Sequence, residues 1–145
     1  MELGIAAAQF ALGKLTSEEA IAAASQALDA GTYSESLGQL IGQEPVWSEV
    51  GPVFEKALEE LSVSVPSRTS ALSIIARDFA RRISAGSLTP YEGARRIWWD
   101  VANEPDADRS LLVFVGLASE WEDVPQNRAE YEADILQEAR RLLEQ

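Results

Sequence analysis

The residues of this 145-residue chain with the clearest chemical capacity are its carboxylates and arginines. Glu120 and Asp123 stand three positions apart, and Glu130 and Asp134 four. On a helix that spacing puts both carboxylates of a pair on one face, and two such helices facing each other can hold a magnesium ion. The second concentration is cationic and aromatic. Arg81-Arg82, Arg95-Arg96 and Trp98-Trp99 crowd the stretch from 81 to 99, and tryptophan and arginine are the residue types most enriched among those that dominate protein interfaces.

What the chain lacks narrows the chemistry. With no cysteine and no histidine, it has no disulfide framework, no thiolate zinc site and no cysteine nucleophile, and it is without the commonest general base and metal ligand. No phosphate-binding loop, nucleophile elbow or dinucleotide fingerprint occurs. The paired carboxylates look similar to the arrangement in facing-helix nucleotide pyrophosphohydrolases. Those need two pairs in register and a nucleotide pocket, and nothing in the sequence marks the pocket. Solvated helix faces account for these acids, so neither metal site nor cofactor is expected.

The formal charge of -12 repels phosphate over most of the surface and argues against nonspecific nucleic-acid binding, while allowing a basic protein partner. The charge is unevenly built: residues 1–66 hold ten acids with only Lys14 and Lys56, whereas 67–145 hold fourteen acids and all ten arginines. Met1–Gly13 is apolar, but Glu2 replaces the positive start of a signal peptide and the run is too short to span a bilayer. It reads as a first helix. No membrane association and a cytoplasmic location are expected.

The elements that position these residues are helical throughout. Thr16 with Glu19 and Thr89 with Glu92 form capping boxes, the second with Pro90 at the first helical position, and Gly13, Gly31 and Gly86 close the preceding helices. The spacing predicts helices over about 17–30, 34–41, 50–61, from beyond Pro66 to Gly86, 90–103 and 125–143. Residues 111–118 are apolar all round and are read as a buried helix. Arg77, Asp78, Arg81 and Arg82 fall on the wet side of theirs. The fold expected is all-α: a compact domain, 1–145, of about eight helices.

The chain also resembles itself. At an offset of 73, Gly13-Lys14-Leu15-Thr16 falls on Gly86-Ser87-Leu88-Thr89; at 74, Trp47 falls on Trp121, Glu49 on Asp123 and Val50 on Val124. This predicts two tandem four-helix units, about 1–66 and 67–145. Residues shared by both copies are most economically structural, so Thr16 and Thr89 are read as caps and Trp47 and Trp121 as buried plugs at helix junctions. Trp98 joins the core stripe with Ala94, Ile97 and Val101. Arg81, Arg82, Arg95, Arg96 and Trp99 have no counterpart in the first copy, so the scaffold does not require them. Adjacent helical positions differ by about 100°, which sends Trp99 to the polar face, where stacking by arginine is expected.

These readings converge on a non-catalytic, protein-binding helical module, of the kind an immunity or antitoxin-like inhibitor of a basic protein would be. Its partner-binding residues would be Arg95, Arg96, Trp99, Arg81 and Arg82. The alternatives are a magnesium- and carboxylate-dependent nucleotide hydrolase, or a structural subunit or DNA mimic. The alanine-rich segments 6–8 and 20–24 serve internal packing or the seam of a homodimer.

Overall fold

Eight α-helices and no strand make up the chain in a computed structural model describing residues 1–145. They are α1 (Leu3–Ala11), α2 (Ser17–Asp29), α3 (Glu35–Leu40), α4 (Trp47–Glu60), α5 (Arg68–Ala85), α6 (Pro90–Ile97), α7 (Leu112–Asp123) and α8 (Arg128–Leu143). A π-helical turn, Trp98–Ala102, extends α6, and short 3-10 turns precede α7 and α8. No helix is long and apolar enough to cross a membrane.

The expected punctuation is in place. The Thr16 hydroxyl accepts the Glu19 N–H at 3.1 Å while the Glu19 carboxylate accepts the Thr16 N–H at 3.0 Å, the reciprocal bonds of a capping box. Thr89 accepts the Glu92 N–H at 3.3 Å above Pro90. Gly13 and Gly86 both sit in the left-handed region, at φ +69° and +80°, where a side chain would be strained. Ser62 ends α4 in the same region at φ 57°.

The helices divide into two compact units, Met1–Ala71 and Leu72–Gln145. In the first, α3 packs on α4 and on α2, and α1 on α2. Its core is unusually rich in alanine: Ala6, Ala7, Ala20, Ala23 and Ala24 lie with Leu37, Leu40, Val50, Phe54 and Leu58. Such small side chains bring helix axes close, and the larger ones fill the layer between. These alanines are buried in the core of the unit, which is the internal packing expected of them. At the top of α3, the Glu60 carboxylate accepts the Ser36 N–H at 3.0 Å and its hydroxyl at 2.7 Å, satisfying an orphan donor of the helix start.

In the second unit α6 lies against α7 and α8, and α7 against α8. The core takes Leu72, Ile75, Phe79 and Ile83 from α5, Ala94 and Ile97 from α6, Phe114 from α7 and Ile135 from α8. Residues 111–118 are helical as expected, but only Leu111, Phe114 and Ala118 are buried; Leu112 and Val113 face solvent. The all-round apolar run therefore marks one buried stripe and one exposed apolar face. Arg77 departs from its expected place on the wet face. Its guanidinium donates to the carbonyls of Leu142, Leu143 and Gln145 at 2.9, 3.1 and 3.2 Å, closing the C-terminal end of α8 where the helix dipole is negative.

Candidate functional site

The residues singled out around positions 81–99 are held by the α5–α6 pair of the second unit. Gly93 makes that pairing possible: a Cβ there would stand 2.2 Å from Cγ1 of the buried Ile83, so only glycine allows this approach. At the end of α6 the ladder widens, and the Asn103 N–H bonds the Trp98 carbonyl five residues back at 3.1 Å. Such π turns are rare and concentrate at functional sites.

The widened turn changes what adjacent side chains can do. On a regular α-helix neighbouring rings diverge, yet here the Trp98 and Trp99 rings stack with centroids 5.1 Å apart and planes 16° from parallel. Trp99 remains 57% exposed, as helical periodicity expects. Trp98 is only half-buried; it supports the exposed ring instead of joining the core.

The expected arginine stacking on Trp99 does not form. Arg82 and Arg96 both turn to the buried Phe79, with guanidinium carbons 5.6 and 5.4 Å from its centroid, because that ring edge lies within reach of both α5 and α6. Arg96 also pairs with Asp100 at 3.2 Å, one helical turn on. Arg81 leans to Asp78 at 3.6 Å. Arg95 is exposed on the face bearing Tyr91 and Trp99. So the structure brings Arg82 and Arg96 together on Phe79, sends Arg81 elsewhere, and leaves Trp98 and Trp99 as a stacked pair at the surface.

The two tryptophans read as equivalent plugs sit differently. Trp47 is the first residue of α4 and is 42% exposed. Its indole covers Gly51 and meets Phe10 at 6.0 Å, so it roofs the core rather than filling it. Trp121, in the last turn of α7, is clamped. The Tyr91 ring stacks on it at 3.8 Å and the Arg128 guanidinium lies 3.8 Å from its centroid; two groups that close must take opposite faces. Arg128 Nε also donates to the Trp121 carbonyl at 2.9 Å, and the Tyr91 hydroxyl donates to Glu122 at 3.1 Å. Burial, and then the bond to Glu122, raise the Tyr91 phenol above its ordinary pKa. The Trp121 indole Nε1 is buried with no partner.

Sequence reasoning did not find this sandwich. Tyr91 was visible only as part of a capping box, and Arg128 as one arginine among ten. Their meeting depends on how α6, α7 and α8 pack. The paired carboxylates gain nothing from the fold: Glu120, Asp123, Glu130 and Asp134 are all exposed, and nowhere do three acidic side chains converge in a way that could hold a metal ion. Comparison with protein-family models, with curated proteins and with solved structures gives no match to this chain.

Proposed function

We propose that this chain is a non-catalytic, protein-binding helical module that engages a basic protein, in the manner of an inhibitor or immunity protein. The observation that carries the reading is the Trp98–Trp99 pair: a π-helical turn holds one indole beneath another and leaves the outer one 57% exposed. Backing an exposed ring with a second ring fixes its orientation before contact, so less side-chain freedom is lost on binding. Arg95 on the same face supplies a guanidinium donor at the rim of the anchor for carbonyls or carboxylates of the partner, while attraction to a cationic partner comes from the acidic remainder of the chain. The formal charge of -12 speeds encounter with a cationic partner and makes that encounter salt-dependent.

The test compares the immobilised wild-type chain with Trp99→Ala in capture from native lysate, at low and at high salt. A basic protein recovered at low salt by the wild type, reduced at high salt and lost with Trp99→Ala, is the expected result. Recovery that is indifferent to both salt and Trp99 would sink the reading.

A further inference from the structure

The first unit carries a second surface that the arginine and tryptophan pattern does not point to. Within fifteen residues, Tyr33, Ile41, Val46 and Trp47 are 72%, 46%, 47% and 42% exposed. Single exposed apolar residues are ordinary; four large ones at one corner of a small helical unit are not.

Local structure keeps them together. α3 is six residues long, about 9 Å at 1.5 Å per residue. The Tyr33 ring lies over its Gly38, 3.6 Å from where a Cβ would stand. Ile41 follows three positions later, on the same side of that short helix, and its N–H bonds the Gly38 carbonyl. Ile41 and Val46 then begin and end the tight turn into α4, which is braced by bonds from Gln43 to Leu40 and from Val46 to Glu44. Trp47 opens α4, its indole fixed over Gly51. The Tyr33 and Trp47 rings therefore rest on Gly38 and Gly51, and backbone bonds fix the turn that presents Ile41 and Val46.

The segment that carries them has charge of one sign, and Lys56 on α4 acts instead on Glu60, the carboxylate that bonds the start of α3. No lysine or arginine occurs between Lys14 and Lys56, while Glu35, Glu44 and Glu49 are exposed in and beside the corner. That composition selects among occupants. An anionic lipid surface would be repelled by the acids. A second copy, docking face to face, would set the same glutamates against their own counterparts. A cationic protein segment meets both features at once.

We propose that the α3–α4 corner is a docking face for a basic amphipathic protein segment, one that presents aliphatic side chains flanked by lysine or arginine. It is a site apart from the Trp99 surface and does not depend on it.

Calorimetric titration of the full chain with a synthetic leucine–lysine amphipathic peptide, and with its leucine–glutamate counterpart, tests the proposal. Binding of the lysine peptide alone is expected. The double variant Ile41→Ser, Val46→Ser should weaken it by about tenfold or more. Glu44→Lys with Glu49→Lys should weaken it and flatten its salt dependence. Both variants change only exposed residues, and their melting temperatures verify the fold. Trp99→Ala should bind the peptide as the wild type does, which separates this site from the one proposed above. The assignment is overturned by equal binding of both peptides, by no binding, by wild-type affinity in both corner variants, or by loss of binding in Trp99→Ala. Self-association abolished by Ile41→Ser, Val46→Ser would give the corner to a second copy instead.

Discussion

Three tryptophans in comparable sequence surroundings do three different jobs, and their truncation should separate them. Trp121 is held on both faces and at its carbonyl, so Trp121→Ala should cost about 3 kcal/mol, the lower end for large aromatic truncations because the residue is not fully enclosed. Trp47→Ala removes the cover of Gly51 and the Phe10 contact, a loss of about 1 to 2 kcal/mol. Trp99→Ala should stay within about 0.5 kcal/mol of wild type, as exposed substitutions do. Urea denaturation of the three variants measures all of this; a Trp99→Ala as costly as Trp121→Ala would mean the exposed ring is part of the scaffold. At this scale the sequence told that Trp99 faces water, because helical phase fixes direction, but it placed Trp47 as a plug where the ring is 42% exposed. It did not tell what stacks on what. An arginine side chain reaches across helices, and Arg77, Arg96 and Arg128 each found a ring or a row of carbonyls that only packing brings near.

Among the elements, two glycines on neighbouring helices should respond to alanine with opposite signs. Gly93→Ala forces a methyl into the buried Ile83. Overpacking of about 1–3 kcal/mol outweighs the gain of about 1 kcal/mol from better helix propensity, a net loss of up to about 2. Gly116, within α7, has nothing near its missing Cβ, so Gly116→Ala should stabilise by up to about 1 kcal/mol. Thermal melts decide the signs; two stabilised variants would show that α5 and α6 are not in close contact. The short α3 should be acid-sensitive. The Ser36 hydroxyl and then its N–H hold the Glu60 carboxyl below its ordinary pKa, so the stabilisation is complete above the ordinary glutamate value and is lost as pH falls through the lowered one. Stability measured from neutral pH to below about 4 should therefore fall less steeply in Glu60→Ala than in wild type; parallel curves would remove Glu60 from the account. The caps were legible because threonine, glutamate and glycine act locally. The π turn was not, since one extra residue in a helical turn leaves no mark on apolar spacing.

Over the whole molecule the charge is the dominant physical fact. The first unit sets ten acids against Lys14, Lys56 and Arg68, and the second sets fourteen against nine arginines, leaving each with a negative excess. Like charges repel within each unit, so raising ionic strength from a few millimolar toward about 0.15 M, where screening reaches about 8 Å, should raise the melting temperature. A flat response would mean that local pairs already neutralise the field. The all-helical class was legible from composition and punctuation together. The proposed tandem duplication draws unequal support from its two halves. Gly13 and Gly86 share a left-handed conformation and Thr16 and Thr89 share a capping role, whereas Trp47 begins a helix and Trp121 lies in the last turn of one. A cap is read from three or four adjacent residues. The environment of a large ring depends on helix lengths, and α3 has six residues where α7 has twelve.

The buried, unpartnered indole nitrogen of Trp121 makes the chain its own clock. A proton shielded from water can trade with deuterium only when its surroundings part, and a ring clamped on its two faces by Tyr91 at the start of α6 and Arg128 at the start of α8 is released only when that clamp opens. The exchange lifetime of that one indole resonance therefore times the breathing of the junction where α6, α7 and α8 meet, while the outward-facing Trp99 supplies the unprotected reference within the same molecule.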